Sequence, residues 1–155
     1  MQKFLEKALT IGREYIKDGK VASYIPELSR ADKNSLGICV LTESGERYAA
    51  GDTKTRFTIQ SISKVISLAA ALERCGFDRV FEKMSMEPSG DAFNSLVKLD
   101  LASDKPFNPM INAGAITTAG YLVKDTSFED MLSYARRICM DDGIVLDETV
   151  YQSEM

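Results

Sequence analysis

The sequence contains no histidine and no tryptophan, and only three of its 155 residues are cysteines. Without histidine, the chain cannot supply a Ser-His-Asp triad, an HExxH zinc site or an imidazole acid–base group. Cys39, Cys75 and Cys139 are odd in number and far apart, which fits neither a disulfide framework nor a CxxC motif. Any chemistry must come from Ser, Lys, Tyr, Cys or carboxylate side chains, and we expect a reducing, cytoplasmic setting.

Basic clusters and long apolar runs are also missing. A net charge of −4 without a Lys/Arg cluster argues against nucleic acid and against anionic membrane surfaces as partners. No apolar run approaches the roughly 18 residues that a membrane-spanning helix needs. Glu6, Glu14 and Asp18 interrupt the N-terminal segment, which therefore lacks the apolar centre of a signal peptide. The composition, with 45% hydrophobic residues, predicts a soluble globular protein.

Hydrophobic periodicity predicts strands early in the chain and helices later. We expect an amphipathic helix over residues 2–18, then a hairpin over 36–50 that turns at Gly45, then a short third strand over 55–59. Helices are predicted at 62–75, 78–83, 110–121 and 128–140. The helix over 62–75 is apolar nearly all round, which predicts burial on every side.

This order of elements predicts an α/β (α+β) protein. The first part, residues 1–76, would contribute the strands and the apolar helix, and the second part, residues 77–155, would be mostly helical. Two or three strands make a thin sheet, which indicates that the sheet is incomplete.

A Ser-x-x-Lys motif, Ser61-Ile-Ser-Lys64, begins the apolar helix. The spacing places Ser61 and Lys64 on the same helical face. At the helix N-terminus, Ser61 would meet unpaired backbone N–H groups and the positive end of the helix dipole, which favour a developing oxyanion. Lys64 is flanked by apolar residues, and desolvation would lower its pKa and supply a neutral general base. The pair therefore suits acyl transfer through a covalent intermediate.

Structural roles compete with this interpretation. The motif fixes only two residues, and a second copy, Ser95-Leu-Val-Lys98, has no apolar helix after it. The motif also lacks the Ser-Asp-Asn and Lys-Thr-Gly partners that accompany it in penicillin-recognising enzymes. Tyr24 could be a buried aromatic that holds a connector, Asn112 could be a helix or turn cap, and Glu154 could be an exposed carboxylate.

Longer motifs occur in a fixed order along the chain, and they resemble those of the serine-dependent glutaminase family over nearly its whole length. They are Gly19-Lys-Val-Ala-Ser-Tyr-Ile-Pro-Glu-Leu28, Gly51-Asp-Thr-Lys54, Gln60-Ser-Ile-Ser-Lys64, Glu87-Pro-Ser-Gly90, Lys105-Pro-Phe-Asn-Pro-Met-Ile-Asn-Ala-Gly-Ala-Ile116 and Val150-Tyr-Gln-Ser-Glu154. Two of these motifs have eight or more residues, so chance is not a serious alternative.

The resemblance implies a fold similar to β-lactamases and DD-peptidases, an αβα sandwich with an inserted helical subdomain. It implies hydrolysis of L-glutamine to L-glutamate and ammonia without a metal or organic cofactor, by a homo-oligomer. Ser61 matches the family nucleophile and Lys64 the base that takes its proton. Asn112, Glu154 and Tyr24 match positions that hold the substrate. Glu154 and Asn112 could provide the acidic group and the hydrogen-bond donor that glutamine's α-amino and α-carboxylate groups need.

The sequence also departs from the family pattern, because members continue well beyond the position of Glu154. They carry a further Asn, two further tyrosines and a Lys-Ser-Gly strand, none of which occurs here. We therefore expect this chain to be the N-terminal half of a glutaminase, truncated at Met155, with an incomplete sandwich and no activity alone. A penicillin-recognising serine hydrolase of the same fold is the alternative enzyme, and a non-catalytic structural fragment is the alternative of another class.

Overall fold

The computed structural model describes residues 1–90, 92 and 105–155. These residues form six α-helices and two strands. In chain order they are α1 (Gln2–Tyr15), β1 (Gly37–Leu41), β2 (Arg47–Gly51), α2 (Ser63–Cys75), α3 (Phe77–Phe81), α4 (Asn112–Leu122), α5 (Phe128–Cys139) and α6 (Glu148–Glu154). The second Ser-x-x-Lys copy, at residues 95–98, lies outside the described residues.

The described chain divides into two compact units. The first unit contains Met1–Thr58 and Leu146–Met155, and the second contains Ile59–Val145. None of the described helices combines the length and the apolar character that crossing a bilayer requires. The sequence-based division at residue 76 refers to the parts of the expected sandwich, and it stays a prediction.

The first unit is built on an antiparallel hairpin covered by α1. Strand β1 pairs with β2 from Gly37↔Gly51 to Leu41↔Arg47, and Gly45, with φ +84°, makes the predicted turn. Leu5 on α1 and Ala50 on β2 are both buried. A Cβ at Gly51 would lie 2.3 Å from the Leu36 carbonyl oxygen, so only glycine fits this approach.

The same unit joins two short helical segments from opposite ends of the chain. The 3₁₀ turn Pro26–Arg30 packs against α6. The backbone N–H of Glu27 donates to Ser153 Oγ at 3.2 Å, and both Ile25 and Val150 are buried. Asp147 caps α6 by accepting from the backbone N–H of Val150. Sequence analysis did not predict α6, because seven residues are too few to show a helical period.

The second unit is a helical cluster around α2. Its core contains Ala70 and Ala71 of α2, with Val80, Met84, Leu122 and Tyr134 from the surrounding segments. Helix α5 begins with a capping box, in which the Ser127 side chain accepts from the backbone N–H of Asp130 and the Asp130 carboxylate accepts from that of Ser127. Gly76, with φ +78°, is the C-cap of α2.

Two sequence-based expectations about this region are wrong. Residues 55–59 form no strand; a turn follows β2, in which the N–H of Thr55 donates to the Asp52 carbonyl. The propensity of these residues for a strand is not realised, because a strand needs a partner edge to pair with. Helix α2 is also not buried on every side, since Ile62 and Val65 are 58% and 57% exposed. Composition gives the apolar character of a helix but not which faces meet a neighbour.

Candidate active site

A strained turn precedes α2. Residues Gln60–Ile62 form a 3₁₀ turn that leads directly into the helix, and Gln60 has φ +43°. Among the described residues, the only other non-glycine with positive φ is Met140, at the C-cap of α5. A left-handed backbone at a non-glycine residue costs about 1–3 kcal/mol and persists where the surrounding structure enforces it. Such strain marks functional sites, and no glycine signalled it in the sequence.

Hydrogen bonds hold this turn in place. The backbone N–H of Ile62 donates to the Ile59 carbonyl at 2.9 Å. The Ser63 hydroxyl donates to the Gln60 carbonyl at 2.7 Å. Ser61 is the middle residue of the turn and is exposed. The turn therefore presents the serine of the motif at the start of α2, one turn before Lys64, as the spacing predicted.

Lys64 is half-buried, and its ammonium group donates two hydrogen bonds. Its Nζ lies 2.6 Å from Asn112 Oδ1 and 3.1 Å from the Met110 carbonyl oxygen. Burial lowers the pKa of Lys64 from the ordinary lysine value of 10.5. The expected direction of this shift is confirmed. Asn112 lies on α4 and Met110 lies two residues before it, whereas Ile62 and Val65, which flank Lys64 in sequence, are mostly exposed.

Asn112 is the first residue of α4, and its side chain does not cap the helix. The N-cap is Ile111, which makes no side-chain cap bond. The predicted structural role of Asn112 as a cap is therefore wrong. Because an ammonium group has only donors, the amide oxygen of Asn112 must face Lys64. Its Nδ2 group is then oriented away from Lys64, as a donor.

Tight packing of α4 on the preceding loop and on α2 brings these groups together. Gly114 lies against the Asn108 backbone so closely that a Cβ there would be 1.9 Å from the Asn108 carbonyl oxygen. Helices α2 and α4 are in direct contact, and Ala113 is buried. The run of small residues after Asn112 therefore has a structural explanation, because it lets α4 approach its neighbours.

The other two sequence-predicted site residues belong to the first unit. Tyr24 precedes the 3₁₀ turn Pro26–Arg30 and is 71% exposed, so its predicted role as a buried aromatic is wrong. Glu154 is the last residue of α6 and is exposed, as the structural alternative also expected. The bond between Glu27 and Ser153 ties the two segments that carry Tyr24 and Glu154.

The structure thus brings Lys64 and Asn112 into contact in the second unit, where Ser61 lies one turn before Lys64, and it places Tyr24 and Glu154 in the first unit. The Met110 carbonyl was not predicted, because a backbone acceptor leaves no signal in side-chain identities. Within residues 1–90, 92 and 105–155, Cys, Asp and Glu form no cluster of three that could hold a metal ion. Chemically, the arrangement offers an exposed serine one helical turn before an amine of lowered pKa.

Comparison with known proteins identifies the family. The glutaminase family model matches residues 19–155. The chain is 48% identical over 158 aligned residues to Glutaminase 2 of Clostridium perfringens, covering 99% of this chain and 52% of that protein. It is 49% identical to a glutaminase of Fusobacterium nucleatum, with the same coverage. The chain therefore spans about half the length of the curated relatives it matches.

Solved structures agree in fold. A probable glutaminase from Bacillus subtilis superposes with a TM-score of 0.83 at 36% identity, over 99% of this chain and 47% of that one. A structure of a probable glutaminase from Bacillus subtilis complexed with 6-diazo-5-oxo-L-norleucine gives a TM-score of 0.81 at 34% identity, over 99% of this chain and 46% of that one. The mixture of helices with a small sheet is consistent with an incomplete α/β fold of the β-lactamase-like type, as the sequence predicted. With a family match over most of its length, the chain belongs to the glutaminase family.

Proposed function

We propose that the whole protein to which this chain belongs hydrolyses L-glutamine to L-glutamate and ammonia through an acyl-enzyme on Ser61. Ser61 Oγ attacks the side-chain amide carbon as its proton passes to Lys64 Nζ. The amide nitrogen takes up that proton as its bond to carbon breaks, ammonia leaves, and a γ-glutamyl ester remains on Ser61. Water then cleaves the ester, releasing glutamate and restoring the hydroxyl. The chain carries four of the groups that this route needs. They are the Ser61 nucleophile, the Lys64 base, the Asn112 hydrogen-bond donor and the Glu154 carboxylate.

The observation that carries the proposal is the position of Lys64, one turn after Ser61. Burial also lowers the pKa of Lys64, which is the direction that a lysine base needs. The two acceptors at its Nζ, Asn112 Oδ1 and the Met110 carbonyl, fix where the amine lies. Ser61 is exposed one turn earlier, beside a strained residue. An ordinary surface lysine would have neither the burial nor the two fixed acceptors.

Substrate contacts are proposed for the three remaining residues. Asn112 Nδ2 is a donor for a substrate carboxylate or carbonyl, since its oxygen is engaged by Lys64. The Glu154 carboxylate would pair with the substrate's α-ammonium group, and the exposed Tyr24 would contact the substrate by its ring or hydroxyl. Hydrolysis by this route needs no metal or organic cofactor.

The test uses the diazoketone whose complex with a Bacillus subtilis relative has been solved. We expect 6-diazo-5-oxo-L-norleucine to add covalently to Ser61, with peptide mass spectrometry as the readout. Ser61→Ala should abolish the adduct and glutamine hydrolysis, while the exposed Ser133→Ala on α5 should leave both unchanged. Labelling elsewhere, or hydrolysis that survives Ser61→Ala, would refute the nucleophile assignment. This chain should be assayed beside the full-length protein, because it covers about half of its relatives.

We also propose that the enzyme is cytoplasmic and forms a homo-oligomer. The cytoplasmic setting is supported by the three cysteines, which are all free thiols. Homo-oligomerisation is supported by family resemblance. Light scattering of the full-length protein is the measurement for oligomeric state, and a monomer at all concentrations would contradict it.

A further inference from the structure

We propose that Asn108 is a positioning residue for Lys64, acting through the Met110 carbonyl and Asn112. The inference rests on the proposed function for the importance of Lys64. It assigns a role to a residue that touches none of the reacting atoms. The carboxamide of Asn108 holds two chain segments at once, and one of them carries two groups that accept hydrogen bonds from Lys64.

The oxygen of the Asn108 carboxamide shapes the start of α4. Asn108 Oδ1 accepts from the backbone N–H of Met110 at 3.0 Å and from that of Ile111 at 3.2 Å. These bonds make an Asx turn, which fixes the backbone of the two following residues. They determine the direction of the Met110 carbonyl, the same carbonyl that accepts from Lys64 Nζ. They also set the entry to α4, whose first residue is Asn112.

The nitrogen of the carboxamide anchors this turn to another segment. Asn108 Nδ2 donates to the Glu87 carbonyl at 2.8 Å. Two backbone bonds continue the pairing, from the N–H of Ser85 to the Pro106 carbonyl at 2.8 Å and from that of Glu87 to the Phe107 carbonyl at 2.9 Å. Beside this segment, Met84 is almost fully buried in the core of the second unit. The Asx turn is therefore fastened to the core rather than left on a free loop.

Backbone packing from the other side leaves the turn little freedom. Gly114 contacts the carbonyl of Asn108 and the Cα of Pro109, with no space for a Cβ. Pro109 is buried, and its ring fixes its own φ. With the backbone held on both sides, the carboxamide of Asn108 completes the path from the core to Met110 and Asn112. A displacement of that turn would move both acceptors away from Lys64 together.

The experiment measures the environment of Lys64 without using glutamine. Acetylation by isotopically labelled acetic anhydride at pH 8 is followed by peptide mass spectrometry, with the exposed Lys124 as internal reference. Amide hydrogen exchange at Met110 and Ile111 is measured in parallel. The variants are Asn108→Ala and Asn108→Asp. The control is Asp141→Ala, which removes another Asx-type bond, from the N–H of Gly143 to Asp141 Oδ1 at 2.8 Å, away from Lys64.

We expect Asn108→Ala to raise the acetylation rate of Lys64 relative to Lys124 by about fivefold. This is the factor by which the loss of one net hydrogen bond would shift the equilibrium toward the displaced turn. Exchange at Met110 and Ile111 should accelerate in the same variant. Asn108→Asp keeps the acceptor for both N–H groups and loses only the donor to Glu87, so it should rescue at least half of both changes. Asp141→Ala should change neither.

Faster exchange at Met110 and Ile111 with unchanged Lys64 acetylation would overturn the proposal, because Asn108 would then only shape the turn. If Asn108→Ala does not melt cooperatively, Asn108→Asp tests the proposal instead. In that variant, Lys64 acetylation and amide exchange at Met110 and Ile111 must change together. Failure of the proposed function would appear in a different measurement, the diazoketone adduct on Ser61. The positioning role of Asn108 and the proposed function can therefore be refuted independently.

Discussion

The two units hold their candidate site residues in different ways. In the second unit two of the candidate side chains are themselves part of the packing, because Lys64 is half-buried and bonded to Asn112 at 2.6 Å. In the first unit the residues that neighbour the candidate site residues are buried instead. Ile25 and Val150 are buried, and Glu27 bonds to Ser153, while Tyr24 and Glu154 are exposed.

This difference matches the two kinds of work that we propose. A proton acceptor needs a tuned pKa, so its side chain must be desolvated and fixed. Groups that meet a polar substrate need a positioned backbone and an accessible side chain. The second unit provides a desolvated and fixed side chain, and the first unit provides a positioned backbone with accessible side chains. The contrast predicts that changes in the second unit act on the chemical step, and changes in the first unit act on substrate binding.

The largest expected effect separates these two roles in the full-length enzyme. Lys64→Ala should lower kcat for glutamine by about 10³-fold, within the range for loss of a general base. Glu154→Gln removes a charge proposed to pair with substrate, and should mainly raise KM. Steady-state ammonia release measures both. If Lys64→Ala changed KM alone, or Glu154→Gln changed kcat alone, the division between the units would be wrong.

The next effect tests how tightly the second unit is built. Gly114→Ala would place a methyl group 1.9 Å from the Asn108 carbonyl oxygen and 2.9 Å from the Pro109 Cα, and neither backbone atom can move away easily. We expect a loss of about 3 kcal/mol in the free energy of unfolding. Gly120→Ala is the matched control on the same helix, because a Cβ there meets nothing within 4 Å. It should stabilise by about 0.5–1 kcal/mol. Urea melts give both values, and equal effects would contradict the tight approach.

The same contrast explains what could be predicted from the sequence. The helices α1, α2, α4 and α5, the β1–β2 hairpin and the Ser61–Lys64 turn follow from periodicity, capping residues and glycines, which are local. The strained φ of Gln60 and the Met110 carbonyl depend on backbone geometry that many sequences share. Burial is the least local property: Val65, on the helix predicted to be buried on every side, is exposed, and so is Tyr24, for which burial was the structural alternative. Neighbours distant in the chain decide burial, and periodicity does not identify them.

A smaller effect uses pH to sharpen the assignment of Lys64. Burial disfavours the ammonium form and lowers the pKa of Lys64 from 10.5, so the neutral base appears at lower pH than for an exposed lysine. In the full-length enzyme, kcat/KM should rise about tenfold per pH unit below that pKa and then level off. Asn112→Asp would place a carboxylate beside Nζ, favour the ammonium form and move the plateau to higher pH. Glu154→Gln should leave the midpoint where it is, and a shift there would contradict the separation of roles.

The smallest expected effect concerns the contact that joins the two segments of the first unit. Ser153→Ala removes the acceptor for the Glu27 N–H. It should lower the free energy of unfolding by about 1 kcal/mol and the melting temperature by about 3 °C. Because this contact ties the segments that carry Tyr24 and Glu154, KM for glutamine should rise a few-fold with kcat unchanged. Ser29→Ala is the control, since its hydroxyl bonds only within the same 3₁₀ turn, to the Pro26 carbonyl. A fall in kcat after Ser153→Ala, with KM unchanged, would show that the first unit contributes to the chemical step.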